Sequence, residues 1–326
     1  MIKVEIDLNA LKSNLRYIKA KAGVPVLAVV KADAYGHGLV RCAQAAIEAG
    51  ADYLGTATLS EAFALREAGI KAPLLAWLLP PGEDFKRAVQ LNIELGLSSL
   101  SAFDEVNAIP GAKIHLEVES GMGRGGFSNE WPELLNRDLS KVFGIFTHLA
   151  RADEPSEAQN KTQLENFEIF VNDLKARGVN PIRHLSNTAA TLSNPNAKFD
   201  MVRVGIAMYG LSPLGRDENL KPVMKIKAKL VLVKDLPKGH PIGYGASEVT
   251  KSDTKIGIVG MGYADGIPRN AKGAGVTFMG QTAPIIGRVS MDQFAVDLGA
   301  ESSAKSGDWV TVIGERFDAY DWAQAC

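Results

Sequence analysis

Eight short apolar runs, separated by stretches with helical periodicity, most constrain what this chain can become. Candidate strands start near Val26, Tyr53, Leu74, Ile93, Lys113, Val142, Ile182 and Met201. Apolar positions three and four residues apart mark the intervening helices. Leu11, Leu15 and Ile18 follow Asn9, a candidate N-cap, and Ser60 precedes Glu61–Ala68 in the same way. The longest helical pattern runs from Gln159 to Arg177, with Leu164, Phe167, Phe170, Val171 and Leu174 on one side. Strand–helix alternation alone permits a doubly wound sheet or a barrel. The count of eight is the one a (β/α)8 barrel needs.

The pattern changes after about Lys221. Met224-Lys225-Ile226-Lys227-Ala228-Lys229-Leu230 alternates with period two, the signature of a half-buried strand. Further β-like runs follow at 256–259, 276–279, 284–286, 294–296 and 309–313, punctuated by glycines. The expected organisation is α/β: an N-terminal (β/α)8 TIM-type barrel over residues 8–220 and a smaller, mostly-β C-terminal domain over 221–326. Residues 1–7, with Ile2-Lys3-Val4-Glu5-Ile6 alternating, are expected to join the β domain.

Charge and cysteine content narrow the function classes. A formal net charge of −1 offers no electrostatic case for nucleic acid or an acidic membrane surface. The two cysteines, Cys42 and Cys326, suggest no disulfide framework. The N-terminus carries charges where a signal peptide needs apolar residues, and no run approaches the ~18 apolar residues of a membrane span. A cytoplasmic location with no membrane partner is the expectation.

Lys31 is the leading chemical candidate. It closes the apolar strand Val26–Val30, a position where burial disfavours the charged amine and frees a nucleophile. Such a lysine can equally reach solvent, so the wider pattern decides. The run Ala28-Val29-Val30-Lys31-Ala32-Asp33-Ala34-Tyr35-Gly36-His37-Gly38 resembles the lysine segment of the pyridoxal-phosphate (PLP) alanine racemases. Gly121-Met122-Gly123-Arg124, His148, Asn187-Thr188-Ala189-Ala190 and Met201–Ile206 continue the resemblance in order. So do Gly243-Tyr244-Gly245, Gly262–Gly266 and Gly287–Gln293.

The resemblance implies a role for each matching residue. Lys31 would form the Schiff base with PLP, whose ring stores the electrons left when the Cα proton departs. Tyr35, Thr188 and the amides of Gly205 and Ile206 would hold the phosphate, with Asn187 beside them. Arg203 would face the pyridine nitrogen. Arginine only donates, so that nitrogen would stay unprotonated and form a weaker electron sink, limiting side reactions. His148 would support Arg203, and Arg124 would stand near the phenolic oxygen and the substrate. Tyr244 would be the second acid–base group, opposite Lys31, contributed by the partner in a homodimer. Tyr263, Met291 and Asp292 would belong to the same contributed, substrate-facing surface. A tyrosine has pKa near 10 in water, so Tyr244 would need a nearby cation such as Arg288. Arg269, Arg288 and Asp153 would line the approach for substrate, and no metal is implied.

Two departures from the family pattern stand out. Glu117 occupies a position where many members carry a carbamylated lysine; its carboxylate is expected to orient Arg124. The family usually extends past Cys326 with another tyrosine, so residues 318–326 read as a helix cut short. The expected function is interconversion of L- and D-alanine, supplying D-alanine for the cell wall. The alternatives are a serine or broader-specificity racemase, or a PLP-binding chain inactivated by truncation. A decarboxylase on the same architecture is disfavoured by Arg203, since those enzymes generally pair the ring nitrogen with an acid.

Overall fold

The computed structural model describes all residues except Glu218, Lys272 and Glu315. The chain divides into two compact units, Leu8–Lys221 and Met1–Asp7 with Pro222–Cys326.

The larger unit is the barrel. Its strands are β2 (Val26–Val29), β3 (Tyr53–Thr56), β4 (Leu74–Ala76), β5 (Glu94–Leu97), β6 (Ile114–Glu117), β7 (Val142–Phe146), β8 (Ile182–His184) and β9 (Val202–Val204). They pair in parallel in the order β8-β7-β6-β5-β4-β3-β2-β9. At the remaining seam, Asp200 N–H donates to Arg183 O at 3.1 Å and Arg203 N–H to Ser186 O at 2.9 Å, so β8 and β9 meet. The eight expected strands and the barrel are all present. β2 and β5 are buried throughout, as strands covered on both sides must be.

Helix starts differ from expectation by a residue or two. The first helix, Leu8–Ala22, already includes Asn9. Thr58, rather than Ser60, caps Leu59–Glu67 and forms a reciprocal capping box with Glu61. The long helix is Ala158–Ala176. Among the described residues no helix is long and apolar enough to cross a membrane.

The smaller unit is organised by β10 (Met224–Leu236). β1 (Ile2–Ile6) pairs antiparallel with its first half and β13 (Thr254–Val259) with its second. β17 (Trp309–Ile313) pairs with β10 as well, and the sheet continues through β14 (Gly275–Phe278) to β15 (Gln281–Pro284). β16 (Phe294–Asp297) flanks β13. Two short strands, β11 (Pro241–Ile242) and β12 (Glu248–Val249), form a separate hairpin. The core gathers Leu230, Val259, Val276, Phe294, Val310, Val312 and Trp322. Trp322 lies on the helix Ala319–Gln324, whose N-cap is Asp318, and its indole donates to Val312 O at 2.7 Å.

Candidate active site

A cavity of about 340 Å³ opens among residues at the C-terminal ends of the barrel strands, where barrel enzymes place their chemistry. It gathers Lys31, Tyr35, Arg124, His148, Asn187, Thr188, Arg203, Gly205 and Ile206, with Glu117 and Asp153. Distant segments of the sequence therefore converge because each follows or ends a barrel strand.

Lys31 follows β2 and opens an unusual turn. Ala32, Asp33, Ala34 and Tyr35 have φ of 53°, 53°, 55° and 56°, a left-handed helical turn built from non-glycine residues. This conformation costs about 1–2 kcal/mol per residue, so the surroundings must hold it. Glu61 receives the Ala32 N–H at 2.5 Å, and Asp33 receives the Leu39 N–H at 2.7 Å. Tyr209 stacks beside Tyr35 with ring centres 4.7 Å apart and donates to Val29 O at 2.9 Å. Burial, with the charges of Arg124 and Arg203, lowers the Lys31 pKa, while Glu61 opposes. That is the environment that frees an amine.

Trp77 is absent from the sequence expectations. Lys31 Nζ lies 5.9 Å from its ring centre, and the indole lines the cavity. Its signal is indirect: a Cβ on Gly55 or Gly96 would fall 2.5 or 2.7 Å from Trp77. Glycine inside a strand marks such a close approach.

Arg203 is buried on β9. Its Nη2 donates to Thr147 O at 2.7 Å and lies 3.3 Å from His148 Nδ1. Its Nη1 donates to the His184 carbonyl. Among the described residues its Nε has no acceptor in the chain. Burial lowers Arg203 to about 10, with Glu117 opposing, so it stays cationic at neutral pH. Burial and the charges of Arg203, Arg124 and Lys31 push His148 down to about 3. A neutral His148 therefore accepts from Arg203 at Nδ1.

Thr188 and Gly205 meet directly. The Gly205 N–H donates to Thr188 Oγ1 at 3.0 Å, which engages that amide with a neighbour. The Ile206 N–H, first in its own turn, has no acceptor among the described residues. A Cβ on Gly205 would lie 2.4 Å from the Tyr35 hydroxyl, so only glycine admits Tyr35 there. Asn187 caps the helix Thr188–Ser193 by accepting from Ala190 N–H at 3.1 Å while also lining the cavity. A phenol, a hydroxyl and a backbone N–H thus gather around Gly205, a set of donors able to hold an anion.

Among the described residues no hydrogen bond or ion pair joins Glu117 to Arg124, but the Glu117 carboxylate lies beside the adjoining residue, 3.5 Å from where a Cβ on Gly125 would stand. Burial raises the Glu117 pKa, and Arg203 and then Arg124 draw it back. Glu119 organises the arginine loop. Its carboxylate accepts from the N–H groups of Gly121, Met122, Gly123 and Arg124 at 2.5–3.2 Å.

The remaining candidates belong to the β unit. Tyr244 stands in a turn after Gly243 (φ 66°) and is 66% exposed. The Arg288 guanidinium packs against Gly245 beside it. Tyr263 N–H donates to Ser290 O, and Ala264 N–H to Met291 O, both at 3.0 Å. The segment 287–292 therefore links the two tyrosine turns, and Tyr263, Met291 and Asp292 are exposed on it or beside it. Arg269 and Arg288 line a second cavity with Glu248.

Comparison with known proteins follows the same division. Residues 6–213 match the N-terminal domain of alanine racemases and residues 223–326 their C-terminal domain. The chain is 40% identical to the alanine racemase of Salinispora tropica, over 99% of this chain and 92% of that one. It superimposes on alanine racemase from Streptomyces lavendulae with a TM-score of 0.94 at 41% identity, covering 99% and 91% of the two chains. The Bartonella henselae enzyme, solved with covalently bound pyridoxal phosphate, gives a TM-score of 0.90 at 27% identity, covering 99% and 93%. The chain belongs to the alanine racemase family, an isomerase family of enzymes.

Proposed function

We propose that this protein is a PLP-dependent racemase that interconverts L- and D-alanine in the cytoplasm and supplies D-alanine for cell-wall synthesis. The barrel cavity carries the reading. An amine with lowered pKa shares it with a buried, cationic Arg203 whose Nε lacks an acceptor, and with a phosphate-sized set of donors. These residues fit PLP. Lys31 would hold it covalently. Tyr35, Thr188 and the Ile206 N–H would hold its phosphate, Arg203 would donate to its ring nitrogen, and Arg124 would stand near its phenolic oxygen. When bound, PLP supplies the sink for the electron pair left at Cα.

The protein residues move the proton. Lys31 takes it from, or returns it to, one face of the substrate, and its lowered pKa raises the share of free amine at neutral pH. Tyr244, from a second copy of the chain in a homodimer, serves the other face. Its exposure leaves the hydroxyl available to such a partner, and Arg288 brings a positive charge to its turn. Arg203 keeps its protons, so it orients without acting as an acid. Tyr263, Met291 and Asp292 would complete the substrate surface, with Arg269, Arg288 and Asp153 on the approach to it. Borohydride reduction of the PLP-loaded protein followed by peptide mass mapping tests the cofactor assignment. The expected label is on Lys31; a label elsewhere, or none, would overturn it.

A further inference from the structure

The barrel interior holds a polar chain that proton transfer does not use. Glu94 on β5, His115 on β6 and His184 on β8 are all buried. Glu94 Oε2 lies 2.9 Å from His115 Nε2, His115 Nδ1 lies 2.8 Å from His184 Nε2, and His184 Nδ1 lies 3.3 Å from Arg203 Nη1. Lys113 closes the far end with a 3.3 Å ion pair to Glu94. Barrel interiors are ordinarily filled by branched apolar side chains, and buried charge is costly unless paired. β7 runs between the two histidine strands and presents Gly144 at the crossing. A Cβ there would stand 2.1 Å from His115 Nδ1. The strand thus leaves room for one imidazole to reach the other.

Donor–acceptor matching leaves one proton arrangement. Arg203 can only donate, so His184 Nδ1 accepts. Neutral His184 then carries its hydrogen on Nε2 and donates to His115 Nδ1. His115 in turn carries its hydrogen on Nε2 and donates to the Glu94 carboxylate. Reversing the order would set N–H against N–H at Arg203. Burial, with the Arg203 charge, holds His184 well below the ordinary histidine range. Burial acts to raise Glu94, but the His115 hydrogen bond and Lys113 outweigh it. Both directions agree with neutral His184 and an ionised carboxylate.

We propose that Glu94, His115 and His184 are positioning residues that hold the Arg203 guanidinium from behind, engaging Nη1 and leaving Nε for an acceptor in the cavity. The proposal deepens, and rests on, the assignment of Arg203 to the PLP ring nitrogen. Glu117 supplies a negative charge from the cavity side; Glu94 supplies one across the barrel, through two neutral rings that transmit orientation.

Imidazole 15N NMR of the holoenzyme, with Glu94→Gln and Glu94→Leu beside the wild type, tests this. Both His115 and His184 should be neutral Nε2–H tautomers. Glu94→Gln keeps an acceptor, so the tautomers should hold, with PLP affinity falling less than about threefold. Glu94→Leu removes the acceptor, so the His115 and His184 resonances and the Arg203 Nε resonance should shift. PLP affinity, read by absorbance titration, should then fall about tenfold. Nδ1–H on wild-type His184, or Glu94→Leu without movement at His184 and Arg203, would overturn the relay. Should Glu94→Leu not fold, the wild-type tautomers and Glu94→Gln decide. If the protein bound no PLP, the same spectra of the apoprotein would still judge the relay, and only the ligand assigned to Arg203 would fall.

Discussion

Replacing Ala32 by glycine should stabilise the barrel, although the same change in an exposed right-handed helix would destabilise it. Ala32 has φ 53° and is exposed, so removing its methyl sacrifices no packing. A left-handed conformation costs a non-glycine residue about 1–2 kcal/mol. Glycine removes that cost but adds about 0.5–1 kcal/mol of unfolded-state entropy. The difference favours the variant by up to about 1.5 kcal/mol. The Ala32 N–H bond to Glu61 is unaffected, since it belongs to the backbone. Gly36→Ala is the opposite control. Gly36 has φ 79° and nothing within 4 Å of an added Cβ, so only backbone strain enters. It should destabilise by about 1 kcal/mol. Native-state hydrogen exchange on barrel amides is the assay, because two compact units need not unfold together. Loss of about 1 kcal/mol in Ala32→Gly, as in a right-handed helix, would refute the left-handed turn.

Three further outcomes follow from the site. Gly205→Ala would drive a Cβ to 2.4 Å from the Tyr35 hydroxyl. PLP affinity by absorbance titration should fall about tenfold while the circular dichroism of the fold is kept. His148 titrates near 3 folded against 6.5 unfolded, so the unfolded chain takes the proton first as pH falls. Stability should therefore drop progressively below pH 6.5, by at most about 2 kcal/mol from this group at pH 5, and His148→Gln should remove that slope in denaturant titrations. Tyr244→Phe should keep PLP yet lose solvent deuterium incorporation from one alanine enantiomer far more than from the other; equal losses would remove it from the two-base scheme.

The strand count and the change to period two after Lys221 were legible because burial imposes periodicity directly on the chain. The segments carrying Lys31, Thr188 and Arg203 were legible through short ordered motifs. Other features left weaker marks. Lys31-Ala32-Asp33-Ala34-Tyr35 contains ordinary helix formers and no glycine before Gly36, so nothing in it announces a left-handed turn. Trp77 shows itself only through strand glycines at 55 and 96, which mean little until β3, β4 and β5 are neighbours. Glu94, His115 and His184 lie far apart in sequence and join only when β5 to β8 close. Glu119 left no mark in the pattern either, although it lies close enough in sequence to the arginine loop to organise it through four backbone N–H groups.

The most direct test of the central claim is racemisation of L-alanine by the purified 326-residue chain with added PLP, followed by circular dichroism of the substrate beside a visible absorbance spectrum. The account predicts loss of optical activity together with the absorbance of lysine-bound cofactor, both abolished by Lys31→Ala. Bound cofactor with the optical activity of L-alanine undiminished would contradict it.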